Sequence, residues 1–156
     1  MQAKMQVKKM TLPVDVEDDS YRFYKTLNMD IELKPDEHNQ WDMVFENGDI
    51  NNVSGHDSLR NAICIAIMTR YKELKHNQLY DEFGCRVHEL IKANKSSMVE
   101  YKIELFIEET LTHMRRVQKV NWVNITDNPN GNIYKYHVDF NVTSINDKIV
   151  EGRVNL

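Results

Sequence analysis

Glycine, proline and cysteine are all scarce in this chain, which carries five, three and two of them among 156 residues. Few glycines leave little material for a phosphate-cradling loop, and no G-x-S-x-G elbow is present. Cys64 lies in the apolar run Ala62-Ile63-Cys64-Ile65-Ala66-Ile67 and Cys85 follows Gly84. With no C-x-x-C pair, both read as reduced thiols, Cys64 buried as a small hydrophobe. Long apolar runs are missing too: none approaches ~18 residues, so no spanning helix is predicted. The stretch Met1 to Met10 has lysines but no apolar h-region, so no signal peptide is expected and a cytoplasmically made protein is. A basic face is also lacking, because the formal charge is −4 and Lys/Arg clusters such as Lys4 to Lys9 hold no more than three basic residues. Nucleic acid is therefore not an expected partner.

What is present is an ordinary globular balance, 41% hydrophobic and 28% charged, in a chain long enough for one domain with a core. Residues 1–40 show no sustained period; Pro13, Pro35 and the acidic cluster Asp15-Val16-Glu17-Asp18-Asp19 predict an extended N-terminal arm with one short strand from Met29 to Leu33. A folded domain is expected over 41–156. Trp41 to Phe45 reads as a strand, Glu46-Asn47-Gly48-Asp49 as a turn and Ile50 to Val53 as a second strand. Ser54-Gly55-His56-Asp57 has capping-box spacing, with Asp in place of Glu or Gln. It opens a helix to about Tyr71, because Leu59, Ala62, Ile63, Ala66 and Ile67 recur at i, i+3, i+4.

After a polar loop punctuated by Phe83-Gly84, Arg86 to Ile91 predicts a short helix. Ser97-Met98-Val99-Glu100 is a capping box for a second long helix, with Val99, Ile103, Phe106, Ile107, Thr110, Leu111 and Met114 on one stripe. From Val117 the period becomes two. Tyr134, Tyr136, Val138, Phe140 and Val142 alternate with polar residues after a turn at 127–132, and Val150, Gly152, Val154 and Leu156 stay in phase to the end. The fold expected is α+β: two main helices plus a short one, packed on a C-terminal antiparallel β-meander.

Catalytic constellations are not found. His38, His56, His76, His88, His113 and His137 lack metal spacing, since His88-Glu89 is followed by Lys92 where H-E-x-x-H needs a second His. No metal site and no cofactor is expected. Glu104 and Glu108 stand at i, i+4, a separation compatible with glycoside hydrolysis, but they lie on the polar side of the helix, whereas an acid catalyst needs burial. No catalytic residue is assigned. A peptidoglycan hydrolase and a non-phage adaptor module stay open as alternatives to a structural role.

The segment Asp42 to Ile50, then Val53-Ser54-Gly55, then a helix ending in Thr69-Arg70 resembles the baseplate wedge or sheath-initiator family of contractile phage tails, phage-like bacteriocins and type VI secretion baseplates. Leu79 to Ile91, with its Phe83-Gly84 pair, is similar to the family's aromatic-Gly segment, and the resemblance covers roughly 41–156. Two departures stand out. Tyr71-Lys72-Glu73 replaces a Gly-Glu pair, and Met114-Arg115-Arg116 replaces a Glu-Pro-Arg tripeptide that docks the family onto the wedge core. The resemblance implies a non-enzymatic virion component with tail sheath, wedge and hub partners, present in multiple copies in a six-fold assembly. It also implies strand addition at the C-terminal meander. The residues expected to bind partners are Met114, Arg115, Arg116, Tyr134, Tyr136, Val150, Val154 and Leu156, with Gly55, Phe83 and Gly84 as structural motif positions.

Overall fold

Two periodicities divide the chain, and the structure follows them. The computed structural model describes residues 26–36, 41–91, 93–127 and 136–156. Six short strands come first: β1 (Met29–Ile31), β2 (Leu33–Pro35), β3 (Trp41–Met43), β4 (Phe45–Glu46), β5 (Asp49–Ile50) and β6 (Asn52–Ser54). Helix α1 (His56–Met68), a 3-10 turn (Arg86–Glu89) and helix α2 (Ser97–Thr112) follow, then β7 (Val117–Asp127), β8 (Tyr136–Ser144) and β9 (Ile149–Asn155). The fold is α+β, with the helical middle on a C-terminal antiparallel meander in the order β7-β8-β9.

The six short strands form three antiparallel pairs, β1 with β6, β2 with β3 and β4 with β5. They meet at a ring of three backbone hydrogen bonds. Glu32 N–H donates to Asn51 O (2.9 Å), Asn51 N–H to Val44 O (2.8 Å) and Val44 N–H to Glu32 O (3.0 Å). Each strand region thus divides its bonding between two partners. The expected strand from Met29 to Leu33 is present as β1 and β2, and its pairing brings part of the expected arm into this ribbon. Leu27, just before it, is fully buried. Asn47 and Gly48 both have positive φ (52° and 85°), the conformation that a two-residue hairpin loop demands and that Asn-Gly supplies.

The helix starts differ from the expected boxes. The N-cap of α1 is Gly55, at φ 60° and with no side-chain cap bond, and Asp57 pairs with Arg60 (2.7 Å) rather than closing a box. Gly55 stands where a left-handed turn must precede the helix, which disfavours any residue with a Cβ. In α2 the cap is one residue earlier than expected: Ser96 Oγ accepts from Val99 N–H at 3.3 Å. Helix α1 ends at Met68, short of Tyr71, with the Thr69 hydroxyl donating back to Ile65 O (2.8 Å).

Both helices cover one face of the meander, α1 against β9 and α2 against β7. Leu59, Ile63 and Ile67 of α1 and Ile103, Ile107 and Leu111 of α2 meet Val123, Val138, Phe140, Val142, Val150 and Val154 in one core. Burial of each such side chain contributes on the order of 2 kcal/mol. Gly152 makes room for this packing, because a Cβ there would lie 2.4 Å from Phe140 Cζ. Among the described residues, no helix is long and apolar enough to cross a membrane.

Candidate functional site

Three places could carry an interaction: the edges of the meander, the outer face of the meander, and the corner where α2 turns into β7.

The outer face is mostly polar and bonds to itself, with Trp122 and Ile149 exposed on it. Asn121 Nδ2 donates to Asn141 Oδ1 (2.6 Å), and Asn141 Nδ2 donates to Glu151 Oε1 (2.6 Å), a chain crossing all three strands. His137 meets Asn155 Oδ1, and Arg153 grips Asp139 with two bonds (2.6 and 2.9 Å). The Arg153 guanidinium holds the Asp139 carboxyl below its usual range. Polar side chains already satisfied across strands gain little from a partner, so those positions favour water over docking.

The two edges are unlike. Along β7 the register slips twice, between Val117 and Lys119 and between Val120 and Trp122, which are two β-bulges. Bulges twist an edge and interrupt its row of donors, a device that discourages strand pairing. β9 pairs with β8 without a slip from Ile149 to Asn155. Tyr136 and Leu156 exchange both backbone bonds (3.0 and 2.8 Å), so the alternation of an antiparallel ladder assigns the inward bonds to Val150, Gly152 and Val154. Ile149, Glu151, Arg153 and Asn155 therefore turn their N–H and C=O groups toward the outer edge. Among the described residues, no strand pairs with that edge. A cleft of about 280 Å³ runs beside it, lined by Leu33, Pro35, Trp41, Arg60, Glu151 and Arg153 among others.

The expected partner-binding side chains in the meander are placed elsewhere. Tyr136, Val150 and Val154 are buried in the chain's own core, and Leu156 packs against it. They hold β9 in register, while the outward main-chain groups belong to the residues between them. Periodicity singled out the apolar half of the strand, whereas the outward backbone groups belong to the polar half; the alternation itself was the available signal. Tyr134 lies outside the described residues, as do residues 1–25 and the turn residues 128–132.

At the α2–β7 corner, Met114 is half-buried against the core and Arg115 is exposed. Arg116 Nη1 donates to Leu27 O (2.8 Å) and Ser58 Oγ (3.3 Å), and its own carbonyl accepts from Ile145 N–H (3.1 Å). It ties the Leu27 turn, the start of α1 and the β8–β9 turn together. These three residues help line a groove of about 800 Å³ shared with Tyr71, Tyr80, Phe83 and Phe106. Gly84 forms part of its wall. The loop returns there as a parallel bridge between Arg70 and Cys85, and a Cβ on Gly84 (φ 105°) would lie 2.4 Å from Arg70 O. Phe83 rests edge-on against Tyr80, with ring centroids 5.9 Å apart.

Chemically reactive groups are quiet. Burial pushes the Cys64 thiol up to about 12 and raises Cys85 as well, so both stay protonated and weakly nucleophilic at neutral pH. Among the described residues, no group of three or more His, Cys, Asp and Glu side chains could hold a metal ion. Glu104 and Glu108 line neither groove. His88 is bonded to Ile67 O (3.1 Å), which accounts for one of its ring nitrogens structurally.

Comparison with curated proteins returns no match. Comparison with protein families returns one match, to the contractile injection system sheath initiator, over residues 29–147. That span includes the three-way ribbon, both helices and most of the meander, well over half of the chain. It begins within β1, at the residue where the described ribbon starts pairing. The chain belongs to the contractile injection system sheath initiator family and is a structural component of a contractile-tail baseplate.

Proposed function

We propose that this chain templates the first ring of the tail sheath by offering the outer edge of β9 to a strand of the sheath protein. The observation that carries the reading is the contrast between that regular edge, which no strand among the described residues joins, and the twice-bulged edge of β7. An added strand would bond to the outward groups of Ile149, Glu151 and Arg153 and seat one side in the cleft beside Trp41. Tyr136, Val150, Val154 and Leu156 would serve by keeping β9 straight. The Met114-Arg115-Arg116 corner and its groove would face wedge or hub proteins. Several copies, repeated around a six-fold tail, would give the sheath its starting ring.

Removing Ile149 to Leu156 would test the core as much as the edge, because Val150 and Val154 are buried. A sharper test is the pair Glu151→Pro and Arg153→Pro, which removes two outward donors and leaves the bonds to β8 in place. A Glu151→Thr/Arg153→Thr control loses the same side chains and keeps both N–H groups. Purified baseplates carrying the proline variant should bear no sheath by electron microscopy while the control bears normal sheath. Sheaths of normal length on the folded proline variant would overturn the proposal.

A further inference from the structure

The cleft beside β9 is centred on a single residue of that strand. Glu151, Gly152 and Arg153 form its β9 wall, and neither Val150 nor Val154 lines it. Leu33, Pro35 and Trp41 come to it from the ribbon, and Arg60 and Cys64 from α1. Residues opposite each other on neighbouring strands point their side chains to the same face of a sheet. Val150 and Val154 are buried in the core, so Gly152, in phase with them, belongs to the face that α1 covers. Glu151 and Arg153 belong to the outer face. A strand laid along the outer edge, in either direction, has one inward side chain between its bonds to Glu151 and Arg153. That side chain stands opposite Gly152 and points into the cleft.

The polar groups around the cleft are matched within the chain. Glu32 pairs with Lys34 (2.7 Å), Asp57 with Arg60 (2.7 Å) and Arg153 with Asp139, while Glu151 accepts from Asn141. Asn61 accepts from Leu33 N–H and donates to Ile31 O and Asp30 Oδ2. A charged side chain entering here would lose water and gain no counter-ion that is not already engaged. What the cleft offers an arriving side chain is the apolar surface of Leu33, Pro35 and Trp41 and the bare backbone of Gly152. Its volume of about 280 Å³ exceeds the roughly 150 Å³ that holds a benzene ring, so one large side chain fits. A neighbour's ring packed across an edge glycine is a recognised way to pin strand register.

We propose that the sheath strand added to β9 carries one large uncharged side chain, an aromatic or a leucine, opposite Gly152. Its seating in the cleft sets the register of the first sheath ring. A slip of one residue turns that side chain to the outer face and brings a residue of the other half to the cleft. This inference rests on strand addition at β9 and names the side chain that the edge selects.

Tails assembled with the full chain carrying a benzophenone amino acid at position 35, on the exposed rim of the cleft, test the seating. Irradiation should join position 35 to one sheath position, a leucine or an aromatic. The same probe at position 151, on the outer face, should reach the residues flanking it in the sheath sequence. Crosslinks from position 35 to charged sheath residues, or none to the sheath, would overturn the proposal. Leu33→Asp sets an unpaired carboxylate against the seat and should cut the share of sheathed baseplates about tenfold by electron microscopy. Leu33→Met should leave that share unchanged, with amide exchange in α1 and β8 equal to the parent in both variants as the folding control. Normal sheathing with folded Leu33→Asp would also overturn it. The proline pair at 151 and 153 separates the two readings. Bare baseplates there and sheathed ones with Leu33→Asp remove the role of the cleft alone, whereas sheathed proline variants remove strand addition and the cleft together.

Discussion

The two edges of the meander use the same central strand and end in opposite designs. β7 departs from β8 at two bulges, and β9 follows it residue for residue. Both are amphipathic and both are covered on one face by a helix, so hydrophobic burial does not distinguish them. The difference is confined to backbone register. An edge is made receptive or unreceptive by where an extra residue is inserted, at little cost to the core beneath.

Three substitutions and one deletion probe that contrast. Phe140→Ala should erase it, because Phe140 is fully buried on the strand that both ladders share. A loss of about 3–5 kcal/mol is expected in chemical denaturation, with both edges losing amide protection together. Gly152→Ala should act on one side only. Its Cβ meets the Phe140 ring, so stability should fall by about 1–3 kcal/mol. Hydrogen exchange should then rise in the β8–β9 ladder and not in β7–β8. Equal loosening of both ladders would show that the edges are not independent.

Deleting Gln118 should remove the first slip and straighten the start of β7. The expected change in stability is within about 1 kcal/mol, but self-association should increase in light scattering as a second regular edge appears. The smallest effect belongs to the outer face. Because Arg153 depresses the Asp139 pKa, the pair's contribution is present above the ordinary carboxylate range and is lost as pH falls through the depressed value. Thermal melts of Asp139→Asn should therefore show a shallower loss of stability on acidification than the parent, with little difference between the two at low pH.

Much of the architecture was legible from residue order alone. Leu59-Ile63-Ile67 and Ile103-Ile107-Leu111 announced both helices, and the Tyr136–Val142 alternation announced the central strand. The caps were displaced because Ser96, not Ser97, takes the extended backbone of an N-cap, and α1 starts after Gly55 at positive φ with no side-chain cap, choices of φ and ψ that the letters alone do not settle. The bulges were invisible: nothing in Gln118 or Asn121 marks an inserted residue until the partner strand is known. Of the residues expected to bind partners on β9, Val150 and Val154 belong to the core, because the side-chain pattern marks the apolar half of the strand. Arg116 was expected to face a partner, and its bonds to Leu27 and Ser58 need contacts 89 and 58 positions away, which no local pattern encodes.

The ring of bonds among Glu32, Val44 and Asn51 has a mechanical consequence. A strand paired along one side can be peeled open from its end, one bond at a time. In the three-way ribbon each strand changes partner midway, so pulling on any one of them loads two ladders at once, and the ring at the crossing must shear as a unit. A ribbon joined in this way, next to the helices, does not open by unzipping a single ladder from its end.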